Sequence, residues 1–547
     1  MAKIRREGSA GSPGGRRRSG PRAHTAYDYE ADTRRRSGHT ASGGRKISTA
    51  AAQKQKQRRR SSRRALFFQA LLSILLLVQV WRTQMVPAWM LAALGLVLFI
   101  LWFFTLEMQK YPKRGAFTRF CAWLLTAAMA VGCLFTQQGL DALQKVTSGE
   151  NNTVVGVYVL QEDPARKISD TANYAFGCIS EMDRTNTDKA ITAIAAKSEA
   201  ASLPSGYDNM FELVGGLYNG EVQAIILNQS FISMIEDEEN GYADFSERTR
   251  CIFTYSIAND NLQGNVTGAE AKQITQKPFL IYLSGVDTRG DLTDTCRSDV
   301  NILAAVNPVT KHIVLINTPR DYYVPLAGTD GAMDKLTHAG LYGVDRSMDT
   351  LGALYGVEVS YFIKINFVGF IGIVDALGGI DVESDQAFTS VGSPGYYNPT
   401  TFVQGTNHLD GAAALAFSRE RHAFKAGDIQ RGENQMKVIS AIVNKAKSPA
   451  VLRNYSKLMN SVGDSFVTNL SHDQVGALVR MQLNDGADWT IESYSVTGTG
   501  AKSTECYSAR GSNLYVMKPD TATVAEAQAM IASVLSGAPA GSEAPTA

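Results

Sequence analysis

Residues 278–287, PFLIYLSGVD, and residues 300–321, VNILAAVNPVTKHIVLINTPRD, decide the fold. The first is an uncharged apolar run ending on Asp287, with the length and β-branched content of a strand buried on both faces. The second divides at the turn signal Asn307-Pro308 into two more strands of the same kind. Toward the C-terminus, DRSMDTLGALYGV (345–357) reads as a helix, VSYFIKI (359–365) as a strand, NFVGFIGIVDALGG (366–379) as a helix stopped by glycine, and IDVES (380–384) as a strand. LDGAAALAFSRER (409–421) and GDIQRGENQMKVISAIVNKAKS (427–448) have the spacing of amphipathic helices, and WTIESYSV (489–496) returns to strand. Strands interleaved with helices predict an α/β, three-layer αβα domain with a mixed sheet over 276–500, followed by a C-terminal segment at 501–547 that is disordered after about 536.

Upstream, 150–275 alternates the strand-like VVGVYVL (154–160), VQAIILN (222–228) and CIFTYSI (251–257) with the helix-like TDKAITAIAAKSEA (187–200) and NMFELVGGLYNGE (209–221). This predicts a small α/β accessory domain without a catalytic constellation. The acidic run IEDEEN (235–240) reads as a solvated loop.

Further upstream, 65–81, 83–106 and 120–140 are uncharged and each is close to the roughly 20 residues that cross a bilayer, so three transmembrane helices are expected. The chain of 547 residues has a net charge of only +2, yet residues 1–64 carry 19 Lys and Arg against four acids, whereas 150–547 carry 29 basic and 46 acidic residues. The basic tail reads as disordered and cytoplasmic, resting on anionic lipid. With Lys110, Lys113, Arg114 and Arg119 also inside, three spans place the large C-terminal part outside the cell membrane. Its negative balance excludes a general nucleic-acid binder, and any anionic substrate there needs a local basic pocket. Of the six cysteines, Cys178, Cys251, Cys296 and Cys506 lie in that exported part, where disulfides persist; sequence locality favours the pairs Cys178–Cys251 and Cys296–Cys506.

Acids and arginines gather at element ends in the second domain. Asp287 and Arg289 close the first strand, Arg297 and Asp299 open the second, and Arg320 and Asp321 stand where the third runs out. If the strands are neighbours, these ends share one rim. Two carboxylates, Asp287 and Asp299, suit a hard cation such as Mg²⁺ or Mn²⁺ that shares its ligands with phosphate oxygens. Arginines supply planar forks for the phosphates themselves. Arg419 and Arg421 follow at a helix end, and Asp428, an N-cap candidate, falls at i, i+3 and i+7 with Arg431 and Gln435, on one helix face. The chain has no GxSxG, Walker A or HExxH motif, and His338, His408, His422 and His472 are scattered. Phosphoryl transfer needs charge neutralisation and in-line positioning, which arginines and a metal provide. Asp321 and Asp428 are the candidates for the general base.

In order, VDTR, TCRSD, TPRD, DKLTHAGLYG, VDALGGIDV, HLDG, SRER and GDIQRGENQ resemble the motifs of the LytR-CpsA-Psr family of cell-wall glycopolymer ligases. The resemblance covers about 278–450 continuously, and 153–275 looks like the accessory domain of capsule-related members. It implies a membrane-anchored transferase outside a Gram-positive-type cell. Such an enzyme takes a glycopolymer of teichoic acid or capsule type from a polyprenyl-diphosphate carrier and joins it by phosphodiester to peptidoglycan. It further implies Mg²⁺ on Asp287 and Asp299, and the diphosphate held by Arg297, Arg320, Arg419, Arg421 and Arg431, with Arg289 nearby and Asp321, Asp428 and Gln435 orienting the arginines. Where many members have a second arginine just before the glutamine, this chain has Asn434. The implied partners are the lipid-linked polymer, peptidoglycan and membrane lipid, with no specific nucleic acid. FIKINFVGFIGIVDAL (362–377) is the natural wall of a polyprenyl tunnel. The alternatives are a regulatory protein that senses lipid-linked precursors and a lipid-diphosphate hydrolase with water as acceptor.

Overall fold

The computed structural model describes residues 49–109, 117–147, 151–198, 201, 203–237, 241–259, 273–287, 291–425, 427–446 and 466–537. Helix α1 (Thr49–Arg82) contains within Arg60–Arg82 an apolar stretch long enough to cross a membrane, and two further helices, α2 (Ala88–Met108) and α3 (Phe117–Val146), are also long and apolar enough. Two boundaries differ from the sequence reading. The second span begins after Pro87, which presets the backbone for a first helical turn. Residues 49–64, read from composition as disordered tail, continue the first span as helix, because Ala, Gln, Lys and Arg are strong helix formers.

The accessory domain is a five-stranded sheet. It contains β1 (Asn152–Leu160), β2 (Phe176–Ile179), helix α4 (Arg184–Ala195), β3 (Ser205–Tyr207), helix α5 (Met210–Tyr218), β4 (Ala224–Asn228) and β5 (Thr249–Ala258), in the order β3-β2-β4-β1-β5. Its central strands β2, β4 and β1 are buried on both faces, so α4 and α5 cover opposite sides: Ile191 and Ile194 pack with Val157 and Ile226, while Leu213 and Leu217 pack with Ile225 and Leu227.

The second domain carries β6 (Phe279–Val286), β7 (Val300–Asn307), β8 (His312–Asn317), helix α6 (Val344–Tyr355), β9 (Tyr361–Asn366), helix α7 (Phe367–Ala376), β10 (Ile380–Ser384), β11 (Gly405–Leu409), helix α8 (Gly411–Arg419), helix α9 (Asp428–Ala446), β12 (Phe466–Thr468), helix α10 (His472–Asp485), β13 (Thr490–Ser495), β14 (Gly498–Ser503), β15 (Leu514–Pro519) and helix α11 (Thr521–Ser536). Six strands form one mixed sheet in the order β12-β9-β6-β7-β8-β13. Successive side chains point to opposite faces of a strand. Leu280, Tyr282, Leu303, Ala305, Val314 and Ile316 therefore meet α6 and α11 in one layer, and Ile281, Leu283, Ala304, Val306, Ile313 and Leu315 face the other, with α9 and α10. The three-layer α/β architecture is as predicted, but its C-terminal limit is not 500. Val524, Ala527, Ile531 and Val534 place α11 in the core of the first layer, so the domain runs to Ser536.

The turn after α1 is tied to α10. Arg480 donates to Gln84 Oε1 at 2.8 Å, His472 Nε2 meets the Arg82 carbonyl at 3.2 Å, and Trp89 donates to Asn484 Oδ1 at 3.3 Å. Gln84 itself sits at φ 55° in the left-handed region.

All six cysteines are free thiols, which corrects the two expected disulfides. Cys178 is in β2 and Cys251 in β5, separated by β4 and β1. Three strand spacings are about 14 Å, beyond the reach of a disulfide. Cys296 lies against Gly340 and Cys506 beside Asp334 and Lys335, so the short helix Leu336–Ala339 stands between the residues each contacts.

Candidate active site

The strand registers bring the sequence motifs together. Gly285 faces Val300 in the β6–β7 pair, and the Asp299 N–H donates to the Gly285 carbonyl at 2.9 Å. Ile302 faces Asn317 in the β7–β8 pair, so continuing the same register sets Asp299 opposite Arg320. The ends of β6, β8 and β9 and the start of β7 thus lie on one rim of the sheet.

Buried hydroxyls fix the backbone between Arg297 and Asp299. Ser298 Oγ is 2.7 Å from the Tyr282 hydroxyl and 2.9 Å from Ser284 Oγ, and Tyr282 also donates to Asn301 Oδ1 at 2.7 Å. Gly340 packs on the backbone of Cys296–Ser298 so closely that a Cβ there would collide with it. The glycine of DKLTHAGLYG is thereby explained as a close approach rather than a chemical group. Gly432 plays the same part in α9, where any side chain would strike the Asn317 amide at the end of β8.

The rim opens into a cavity of about 1410 Å³ between the sheet and α7, α8 and α9. Asp287, Asp299, Arg297, Arg320, Arg419, Arg421, Arg431 and Gln435 all line it. Arg320 Nη1 donates to Asp299 Oδ1 at 2.7 Å, and Arg419 approaches Asp287 Oδ2 at 3.5 Å while stacking over the Phe367 ring at 4.4 Å. Tyr396 donates to Asp287 Oδ1 at 3.1 Å. Gln435 donates to the Ser418 carbonyl at 3.3 Å, which anchors α9 to the end of α8.

Two of the sequence-derived acids stand behind the arginines rather than in the cavity. Asp321 is held by Lys335 at 2.9 Å and lies 3.7 Å from Arg320 Nε; Asp428 accepts from Arg431 at 3.0 Å. Burial would raise the Asp321 carboxyl, but Lys335 and Arg320 overcome it and hold it below its ordinary value. Such a group is a poor proton acceptor and a good anchor. Burial would likewise lower the Arg320 guanidinium, and Asp299 and Asp321 reverse this, raising it. For Arg431, burial wins over Asp428 and the guanidinium is lowered, with Arg320 adding to the effect. Arg320 Nε is buried without a hydrogen-bond partner. A cluster of this kind is satisfied by an anion.

Asp428 is the first residue of α9, preceded by Gly427 at φ 50°, and not its N-cap. Asn434 donates to the Phe417 carbonyl at 3.4 Å, so this position braces α8. Arg289 lies outside the described residues. His422, exposed beside Arg421, lines the cavity, whereas His338 is buried against Asp334 at 2.6 Å.

The interior of the cavity is apolar. Ile363, Ile365, Phe367 and Phe370 come from the stretch named as a tunnel wall, but the same stretch sends Phe362 and Val374 into ordinary core. Most of the wall is the sheet face and α9, through Val438, Ile439, Ile442 and Val443. Residues 431, 435, 438 and 442 form one stripe of α9, with polar groups at the mouth and aliphatic ones inside, a pattern that was present in the sequence.

The donor set fits a hard cation. Asp287 and Asp299 line the same cavity, each beside a guanidinium, Arg419 at 3.5 Å and Arg320 at 2.7 Å, and two such carboxylates would leave a bound cation ligand positions for substrate oxygens. Among the described residues no three His, Cys, Asp or Glu side chains converge as a cage.

The family model described as LytR_cpsA_psr matches residues 252–529, just over half of the chain. This chain belongs to the LytR_cpsA_psr family. Among LytR_cpsA_psr relatives, a protein named polyisoprenyl-teichoic acid–peptidoglycan teichoic acid transferase TagU from Bacillus mycoides is 36% identical over 210 residues, 38% of this chain and 66% of the relative. Its namesake from Enterococcus faecalis is 37% identical over 202 residues, 37% of this chain and 64% of the relative. The chain thus spans slightly less than two thirds of these two relatives. The crystal structure of B. subtilis TagV aligns with a TM-score of 0.40 at 25% identity, covering 48% of this chain and 98% of that one.

Proposed function

We propose that this protein is a membrane-anchored phosphotransferase that moves a glycopolymer from a polyprenyl-diphosphate carrier to a hydroxyl of peptidoglycan, forming a phosphodiester. The observation that carries the reading is a cavity in which an arginine and carboxylate mouth continues into an aliphatic interior. A diphosphate joined to a long hydrocarbon matches both halves at once. The names of the relatives agree with a polyprenyl carrier and a peptidoglycan acceptor.

In this mechanism the acceptor oxygen bonds to the phosphorus that bears the polymer, the bridging P–O bond breaks, polyprenyl monophosphate leaves, and the hydroxyl proton is released. Arg297, Arg320, Arg419, Arg421 and Arg431 bind the non-bridging oxygens, and their hydrogen bonds tighten as charge accumulates there. Asp321 and Asp428 hold Arg320 and Arg431 in place so that little reorganisation is needed. Asp287 and Asp299 would hold a divalent cation such as Mg²⁺, which supplies further charge neutralisation at the phosphoryl oxygens. The aliphatic stripe of α9 and the sheet face hold the hydrocarbon and keep water from the buried half of the site.

The charge bias of the flanking segments supports a cytoplasmic N-terminus and an exported catalytic domain. The exposed Ser169, changed to cysteine, should then react with an impermeant thiol reagent on intact cells. The function is tested with purified protein, a lipid-linked polymer and peptidoglycan. Polymer recovered on the glycan, together with polyprenyl monophosphate, is the expected result. Release of polymer without attachment would replace transfer by hydrolysis, and binding without turnover would leave a sensor.

A further inference from the structure

The accessory domain faces the cavity. Gln229, Ser233 and Glu236, at the end of β4 and in the short helix Ile232–Ile235 and the turn after it, line it together with Ser246, opposite Thr295 and Arg297 of the second domain. The segment expected to be a solvated acidic loop therefore contributes to the site.

This wall is held firmly. Asn152 donates its N–H to the Thr293 carbonyl at 2.7 Å, and its own carbonyl accepts from Thr295 at 2.9 Å, so β1 joins directly to the strand of chain leading into Arg297. Ser230 Oγ, buried, donates to the Leu341 carbonyl at 3.1 Å. Phe231 meets Tyr342 edge-on at 6.0 Å within an apolar cluster shared by both domains. Arg297, one of the cavity arginines, reaches across to Asp237 at 3.5 Å.

Its chemistry differs from that of the arginine cluster. None of the accessory residues that line the cavity is cationic: they offer an amide, hydroxyls, the aliphatic face of Ile232 and the carboxylate of Glu236, with Asp237 at the edge. Such a surface accepts hydrogen bonds from hydroxyl and amide N–H groups and covers an apolar ring face, while its carboxylates oppose a second anion. It borders Arg297, one of the arginines at the mouth of the cavity.

We propose that the accessory domain forms part of the substrate site: residues 229–237 hold an uncharged, hydroxyl- and amide-bearing sugar ring beside the diphosphate. This rests on the phosphotransferase reading above. The same sugar chemistry is present on the polymer next to the carrier and on the acceptor glycan, and the experiment separates these sources.

The test uses the full chain in detergent with undecaprenyl diphosphate, the same lipid bearing an N-acetylhexosamine, the same lipid bearing a hexuronate, and a soluble peptidoglycan fragment as acceptor. Ser233→Phe obstructs the wall and Glu236→Gln removes its charge. The expected result is that Ser233→Phe weakens binding of the N-acetylhexosamine lipid about tenfold, the size of one or two lost hydrogen bonds. Binding of the sugar-free lipid stays within about twofold, which also reports an intact fold. Glu236→Gln narrows the preference for N-acetylhexosamine over hexuronate. If the lipid-linked sugar is unaffected and KM for the peptidoglycan fragment rises about tenfold instead, the ring belongs to the acceptor. Parallel losses for sugar-free and sugar-bearing lipid, or no change with any ligand, would overturn the proposal. Failure of the unaltered protein to bind even sugar-free undecaprenyl diphosphate would overturn the diphosphate reading on which it rests.

Discussion

Arg320 and Asp299 stand at facing positions of two antiparallel strand ends and share a hydrogen bond of 2.7 Å, with the guanidinium mostly covered. The pair joins a proposed phosphate-binding cation to a candidate metal-binding carboxylate, so altering one disturbs the other. Asp299→Ala should lower transfer by roughly 10²-fold or more and also lower thermal stability, because a covered guanidinium loses its partner. Asp287, more exposed and joined to Arg419 only at 3.5 Å, should cost the same activity with little change in melting temperature. Full divalent-dependent release of polymer by Asp287→Ala would remove the metal assignment.

Arg320→Lys keeps the charge but not the fork. It should reduce kcat/KM by about 10²-fold, since a single ammonium cannot reproduce paired N–H donors to Asp299 and phosphate. A variant within about threefold of the unaltered enzyme, measured under single-turnover conditions, would show that only charge matters here.

Ile442→Asp places a carboxylate on the aliphatic stripe of α9. Binding of a long polyprenyl diphosphate should weaken by about 10²-fold or more, whereas a short water-soluble isoprenyl diphosphate should be bound as before. Equal losses for both chain lengths would mean that the hydrocarbon lies elsewhere.

Asp321 titrates lower in the folded chain than in the unfolded one, held down by Lys335 and Arg320 against the effect of burial. Its contribution to stability is therefore complete above the unfolded value of about 3.9 and is lost as pH falls through the lower folded value. Asp321→Asn should melt several degrees lower than the unaltered protein at neutral pH, with the gap closing as pH falls below about 4. A gap of constant size across this range would show that the carboxylate charge is not what stabilises the fold.

Alkylation of the denatured, unreduced protein should modify Cys178, Cys251, Cys296 and Cys506 alike. A linked Cys178–Cys251 peptide would contradict the strand order of the accessory sheet.

The sheet and its rim were legible because their signals are local. PFLIYLSGVD alternates Leu280 and Tyr282 with Ile281 and Leu283 toward two apolar layers, and Asp287, Arg297, Asp299 and Arg320 stand where the apolar runs stop. Once β6, β7 and β8 are neighbours, register alone gathers the acids and arginines. Other features depend on contacts between distant segments and leave no period in the chain. Glu236 and Asp237 look like any solvated acidic run until β1 docks beside Thr295. Residues 501–547 read as a C-terminal segment outside the domain until Ile531 and Val534 of α11 join the core with β7 and β8. The disulfide reading failed for the same reason: closeness in sequence took the place of strand order, and two intervening strands separate Cys178 from Cys251.

Three contacts, Gln84–Arg480, Arg82–His472 and Trp89–Asn484, tie the turn between α1 and α2 to α10 of the second domain. If α1 and α2 span a bilayer and the proposed transfer takes place beside it, these contacts keep the cavity close to one altitude above the lipid. On the proposed function, carrier molecules would reach it by lateral travel within the leaflet, as a moored ferry is boarded from its own quay. Glycan strands would then become acceptors only in the thin slice of wall at that altitude, and newly attached polymer would mark the innermost layer first.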